Sequence, residues 1–304
     1  MRICKKSSTF APDFGKSELK RLFVVFILVA GMVIDSLAEV LVKPDCPGEG
    51  VTSTVVLDRG SIQWETWLDV EHVADAHLIT LPNTLFRFGL SPWAELRLEY
   101  SGSLVTWDHP EDLPGVAKVS YVPEPLAIGT KINLWNGSED SRLRWIPRTA
   151  ILANLRLPIS YEYVNPSSAI YRPISGSMEV GFENDLADWL TIGYGVGSYW
   201  QEWAPTPDIL ASVCFVFQPM ETFGFFVENY NWFDCDAIDI TTGKQKTASA
   251  IFLDFGIMWF VHPRVQLHLN AGFSCYHSLP ELSGPKNDVN VGLGVAWLLY
   301  RKNK

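Results

Sequence analysis

From Asp288 to Tyr300 every second residue is apolar: Val289, Val291, Leu293, Val295, Trp297 and Leu299 alternate with Asn290, Gly292, Gly294 and Ala296. Successive side chains of a strand point to opposite faces of the pleat, so this segment separates an apolar environment from one that is not. A single such strand fits any half-buried sheet. Recurrence decides what it belongs to. Ile62, Trp64, Thr66, Leu68 and Val70 alternate with Gln63, Glu65 and Asp69, and Ile128, Thr130, Ile132 and Leu134 with Gly129, Lys131 and Asn133. Leu190 to Val196, Ile251 to Trp259 and Val265 to Phe273 repeat the pattern. With Thr80–Phe88, Ala94–Tyr100, Ile151–Leu157, Ser177–Asn184, Asp208–Phe217 and Thr222–Tyr230, the array predicts twelve strands.

The connections alternate in length. Gly89–Pro92, Ala187–Trp189, Gln218–Glu221 and Val261–Arg264 are short, with Asn136–Ile146 the longer exception. Ser101–Glu124, Pro158–Pro173, Trp232–Lys246 and Tyr276–Asn287 are long and rich in Pro, Ser or acidic residues. Short turns on one rim, long loops on the other and an even strand number predict an all-β, up-and-down antiparallel transmembrane barrel. A β-sandwich would instead show irregular Greek-key connections. Strand-interior glycines such as Gly193, Gly195, Gly292 and Gly294 weaken a soluble sheet but leave room inside a closed one. Trp93, Trp189, Trp200, Trp259 and Trp297, near strand ends, suit interfacial girdles.

The N-terminus reads as an export signal. After Lys16, Lys20 and Arg21, residues Leu22 to Ile34 are apolar or small, and Ser36-Leu37-Ala38 supplies a cleavage site before Glu39. That run is shorter than the roughly 20 residues a spanning helix needs. The expected organisation is therefore a signal peptide (1–38), a periplasmic or lumen-plugging segment (39–59) and a barrel domain (60–304). The whole chain carries 24 Lys/Arg and 34 Asp/Glu; losing the six and three in the signal leaves 18 against 31, a formal charge of −13. An acidic export argues against nucleic acid, which requires clustered Lys/Arg. Charged residues make up only 19% of the chain, below the roughly 25% of soluble domains.

Charges on a lipid face would cost about 2–4 kcal/mol each for Arg or Lys, so the charged face must be lumenal. Gln63, Glu65, Arg87, Glu95, Arg97, Glu99, Lys131, Asn133 and Arg156 form the expected polar network, with Glu65, Arg87, Arg97 and Lys131 as an ion-pair ladder. Such a network either selects solutes by charge and size or fills the barrel and holds its register. Enzyme chemistry finds little support. His268 is the one histidine mid-strand on the polar face, and no nucleophile setting surrounds Ser212 or Ser274. Glu179 and Glu183 share a face through strand periodicity rather than as a catalytic pair. No catalytic residue, metal cluster or cofactor site is expected. Cys235 and Cys275 either pair or remain free thiols.

Four segments carry a resemblance: Gly60-Ser61-Ile62-Gln63-Trp64-Glu65-Thr66, Thr84-Leu85-Phe86-Arg87-Phe88-Gly89-Leu90, Ala94-Glu95-Leu96-Arg97-Leu98-Glu99 and Ala127-Ile128-Gly129-Thr130-Lys131. The chain resembles the outer-membrane transporter family labelled for the meta-pathway of phenol degradation. The resemblance implies a barrel in the outer membrane of a Gram-negative cell with a transport role. The chain departs from the family at Lys43-Pro44-Asp45-Cys46-Pro47 and in ending Arg301 to Lys304 after its last aromatic residue. Asn290 to Trp297 resembles the last-strand signal read by barrel-assembly machinery. The expected function is a channel or transporter for small molecules, including hydrophobic or aromatic ones. The alternatives are a closed structural or surface-binding barrel and a secreted carbohydrate-binding β-sandwich. Outer-membrane lipid and the assembly machinery are the expected partners.

Overall fold

The computed structural model describes residues 40–45, 52–73, 76–107, 119–137, 145–162, 169–172, 174–201, 206–239, 244–278 and 289–301. The expected signal peptide and Cys46 lie outside them. Among the described residues every regular element is a strand: β1 (Ile62–Val73), β2 (Ala76–Ser91), β3 (Ala94–Tyr100), β4 (Gly102–Trp107), β5 (Val119–Pro123) and β6 (Ala127–Trp135). Then follow β7 (Arg148–Arg156), β8 (Ile159–Glu162), β9 (Ala169–Arg172), β10 (Ser175–Ala187), β11 (Leu190–Gln201) and β12 (Asp208–Met220). The chain ends with β13 (Phe223–Asp234), β14 (Ile238–Asp239), β15 (Lys244–Gln245), β16 (Ala248–His262), β17 (Val265–His277) and β18 (Val289–Tyr300).

All pairings are antiparallel, and twelve of the strands close into a barrel: β1, β2, β3, β6, β7, β10, β11, β12, β13, β16, β17 and β18. They coincide with the twelve predicted from alternation. Closure is made by the C-terminal strand of alternating Val, Leu and Trp. β18 pairs with β1 from Ile62↔Tyr300 to His72↔Val289, while β1 also pairs with β2, so no edge is left there. A sandwich, which leaves its sheets open, is thereby ruled out.

The other six strands lengthen one rim. β4 continues β3 past Ser101 and pairs with β2, β5 continues toward β6 and pairs with β4, and β8–β9 and β14–β15 form small hairpins. These lie within three of the stretches read as long loops. That reading missed the hairpins because each strand is two to six residues long, too short for periodicity to register.

The two faces of the wall differ as the alternation requires. Val289, Val291, Leu293, Trp297 and Leu299 point outward and are 41–55% exposed, whereas Ala296 and Leu298 on the other face are buried. Trp93, Trp189 and Trp297 are exposed at the short-turn rim and Trp200 toward the long-loop rim; Trp259 is only half-buried. Inside, Gly292 and Gly294 give room to neighbours: a Cβ on Gly292 would stand 2.2 Å from Asn270 Oδ1, and one on Gly294 2.3 Å from the His268 ring. Cys214, Cys235 and Cys275 are all free, so Cys235 and Cys275 do not pair.

Candidate functional site: the plugged lumen

Residues 40–45 and 52–61 run inside the barrel. The entry is apolar: Leu41 and Val42 donate backbone hydrogen bonds to Pro263 O (2.7 and 2.9 Å), and Val42 packs with Phe260, Ala296 and Leu298. The return passes Thr52, Thr54 and Leu57 to a turn at Gly60, whose φ of 78° favours glycine. Gly60 N then donates to Gly89 O (2.7 Å), which leads the chain into β1. The plug backbone lies against the wall itself. A Cβ on Gly89 would stand 2.1 Å from Asp58 O, and one on Gly181 2.7 Å from Thr52 O. The described part of this segment, residues 40–45 and 52–58, lies against inward-facing groups of the wall.

A segment inside a barrel has no sheet neighbour, so its peptide groups must find other partners. Here wall side chains supply them. Gln63 Oε1 accepts from Lys43 N (3.0 Å) while Gln63 Nε2 donates to Lys43 O (2.8 Å), a side-chain amide doing the work of a facing strand. Glu65 Oε2 accepts from Asp45 N (3.0 Å), Glu95 Oε2 from Leu57 N (2.9 Å) and Glu183 Oε1 from Thr54 N (3.1 Å). Asn133 Nδ2 donates to Thr54 O (2.9 Å).

Arg87 is the hub, and it is completely buried. Its Nε donates to Glu95 Oε1 (2.8 Å), and its Nη2 to Glu95 Oε2 (2.9 Å) and Val55 O (3.1 Å). Its Nη1 donates to Glu65 Oε1 (2.8 Å) and Lys43 O (2.5 Å). All five guanidinium protons are thus used, three on wall carboxylates and two on plug carbonyls. Arg97 Nη1 pairs with Glu95 Oε1 (3.2 Å) and with Asp45 Oδ2 (2.5 Å), and Lys131 Nζ pairs with Asp45 Oδ1.

Of the sequence-predicted residues, Gln63, Glu65, Arg87, Glu95, Arg97, Lys131 and Asn133 converge on the plug, each at most 6% exposed. The expected ladder differs at two rungs, since Arg97 and Lys131 both pair with Asp45 of the plug. Lys131 reaches Asp45 across the lumen, because its nearest carboxylate belongs to the plug. Glu99 and Arg156 lie apart from this cluster, along a cavity of about 440 Å³ floored by Pro44, Asp45 and Thr52. Glu179 accepts from Thr52 Oγ1 (2.6 Å) and Tyr199 OH (2.9 Å), and Arg156 stacks over Tyr199 with its guanidinium carbon 6.0 Å from the ring centroid. Glu183 binds Thr54 and Arg148. Glu179 and Glu183 are therefore plug anchors on one strand face. His268 faces the same cavity, but Ser274 lies six residues along the strand, ~20 Å at strand rise. Ser212 pairs across with Tyr230, at the height of Ser274 rather than of His268. Among the described residues no His, Cys, Asp or Glu cluster suits a metal.

Sequence reasoning missed Asp45, Thr52, Thr54, Trp67, Tyr199 and Gln266. Trp67, Tyr199 and Gln266 were legible as inward positions by period-two counting. The plug residues carried no such signal.

Burial alone would lift the Asp45 carboxyl, but Arg97, Lys131 and Arg87 outweigh it and hold it well below the usual carboxylate range. A carboxylate depressed on docking stabilises the docked state above its free value near 3.8, and that contribution is lost only as pH falls through the lower docked value. Acidification from pH 8 to about pH 4 is therefore expected to leave Asp45 ionised and the plug seated. Proteolysis within residues 40–58 across that range measures it. A sharp rise in cleavage near pH 5 contradicts this assignment.

A closed cylinder of twelve antiparallel strands, apolar outside and charged inside, has the architecture of the outer-membrane channels. The structure is similar to that of an outer-membrane channel from Pseudomonas putida F1, with a TM-score of 0.61 at 10% identity over 84% of this chain and 100% of that one. It is more distantly similar to the NanC porin (TM-score 0.48, 8% identity, 78% and 100% covered) and to the CymD monoaromatic hydrocarbon channel (0.41, 7%, 81% and 90%). At these identities the likeness is one of fold. No family model and no curated protein matches the sequence.

Proposed function

We propose that this chain is an outer-membrane barrel that conducts small molecules through a lumen gated by its own N-terminal segment. The observation that carries the reading is the coexistence of a closed apolar-walled cylinder with a charged interior whose obstruction is a separate, non-strand segment. Outer-membrane lipid covers the Val, Leu and aromatic exterior, because that much contiguous apolar surface has no other stable environment. Short turns then face the periplasm, where both the plug entrance and the end of β18 lie. β18 is the element through which assembly machinery would recognise the chain, and export would depend on residues 1–38. The role is transport rather than catalysis: Glu179 and Glu183 hold Thr52 and Thr54, and Ser274 lies ~20 Å along the strand from His268. The phenol meta-pathway association rests on the four segments quoted above and names a context, including hydrophobic and aromatic solutes, rather than one substrate.

One observation favours a second reading, a barrel closed for good: Arg87, Asn133, Glu95 and Glu183 all hold plug backbone. The test is reconstitution of the mature protein, first by fractionation and then in planar bilayers. Recovery in the outer membrane with discrete ion currents is expected. A detergent-independent soluble monomer would overturn the membrane reading, and silent bilayers containing heat-modifiable folded protein would favour the closed barrel.

A further inference from the structure

Among the described residues, four polar atoms along the cavity above the plug are buried without a hydrogen-bond partner: Asn83 Oδ1, Arg97 Nε, and both Oε1 and Nε2 of Gln266. Gln266 is fully buried and Arg97 nearly so. The three residues stand on β2, β3 and β17. Strands β17, β18, β1, β2 and β3 follow one another around the barrel, so Gln266 and Arg97 are four steps apart in a circle of twelve. Their side chains point inward from a third of the circumference and meet at one enclosed space. Neighbouring groups fix which atoms are left over. Asn83 Nδ2 donates to Asp69 Oδ2 (3.5 Å), leaving its carbonyl, and Arg97 Nη1 is taken by Glu95 and Asp45, leaving its Nε.

The set is mixed. Asn83 Oδ1 and Gln266 Oε1 accept, whereas Arg97 Nε and Gln266 Nε2 donate. Buried polar groups of both kinds are unfavourable when unmade, so the matching body must supply both donors and acceptors. An anion satisfies only the donors and an ammonium ion only the acceptors. Hydroxyl groups do both, and each turns its proton toward whichever neighbour needs one. The adjacent oxygen and nitrogen of the Gln266 amide suit two neighbouring hydroxyls, one donating and one accepting. Water has the same capacity, but Trp67 adds a surface that water does not use. It stands on β1, in the middle of that arc, and lines the same cavity half-buried. An indole face is covered favourably by the C–H face of a saturated ring. The cavity volume of about 440 Å³ lies within the roughly 300–1,000 Å³ of small-molecule sites.

We infer that this cavity is a binding site for a small neutral polyol of monosaccharide size, its hydroxyls engaging Gln266, Asn83 and Arg97 and its C–H face lying on Trp67. The inference rests on the conduit reading, of which it names a solute class. A ring of the same size with a single hydroxyl keeps the Trp67 contact but leaves most of the buried donors and acceptors unmatched.

The test compares glucose with cyclohexanol. Each is titrated against the mature wild-type protein in nanodiscs by saturation-transfer NMR, which reads weak binding without requiring flux, with empty nanodiscs as the reference. Glucose is expected to bind at least about tenfold more tightly than cyclohexanol. Gln266→Leu is expected to lower glucose affinity by about tenfold while the urea midpoint stays at or above that of wild type, because the amide has no protein partner to lose. Trp67→Leu should weaken glucose binding about threefold or more. No saturation transfer to glucose, or cyclohexanol binding as tightly, overturns the proposal, and this comparison needs no variant to fold. A lowered midpoint with unchanged glucose affinity in Gln266→Leu assigns the amide to the fold and overturns the site as well. Planar bilayers separate the two readings. Glucose bound by a barrel that passes no current refutes the conduit and keeps the site; current through a barrel that does not bind glucose refutes the site and keeps the conduit.

Discussion

Replacing Arg87 with Met is expected to lower the unfolding free energy by about 3–5 kcal/mol, the largest loss of any single side chain in the lumen. The magnitude follows from what remains behind. Glu95 and Glu65 are buried and each takes a direct ion pair from Arg87, while the carbonyl of Val55 loses its donor and that of Lys43 keeps only Gln63. Removing one member of a buried pair leaves charge without compensation, which costs more than the pair contributed net. Arg97→Met should cost less. Its contacts are two, to Glu95 and Asp45, and its Nε has no partner even in the intact protein. Heat-modifiability on gels and urea midpoints of the reconstituted barrel measure both variants. A double-mutant cycle of Arg87→Met with Glu95→Gln should return a coupling of about 1–3 kcal/mol, since the two groups share two hydrogen bonds. Arg87→Met as stable as wild type would mean that water or the other cations replace it freely.

The contrast between wall and plug explains what the sequence disclosed. Every barrel strand was visible because its two faces meet unlike surroundings, and the pleat writes that difference into the chain at period two. Glu95, Arg97 and Glu99 show it within one strand. The same counting put Gln63, Glu65, Arg87 and Lys131 on the inward face before any partner was known. What it could not assign was pairing across the lumen, because register relates only neighbouring strands. Lys131 pairs with Asp45, 86 positions away, and Thr54 is held by Glu183, 129 away. The plug itself has no period to read. Its backbone is satisfied by side chains from several strands in turn, so no fixed spacing of residue type is imposed on it. Pro44 and the scattered valines therefore fitted a periplasmic tail as well as a lumen plug. The small strands β8, β9, β14 and β15 were invisible for the simpler reason of length.

Deleting residues 40–58 is expected to raise single-channel conductance severalfold while leaving a folded barrel. The strand ladder is complete without those residues, from β1 around to β18, so closure and the lipid-facing surface do not depend on the plug. Stability should fall by less than in Arg87→Met. In the deletion water enters with the loss of the plug and solvates Arg87, Glu95 and Lys131, whereas in the point variant charges stay buried without partners. Ion preference should move as well. Asp45, Glu49 and Asp58 leave with the segment, as does Lys43, and the lower lumen keeps Arg87, Arg97 and Lys131 against Glu65 and Glu95. Cation preference at the lower constriction is therefore expected to weaken. Conductance and reversal potential of wild type and deletion, recorded side by side in planar bilayers, measure both effects. Unchanged conductance in a folded deletion variant would place the barrier to flow elsewhere in the lumen and remove the plug from the gating mechanism.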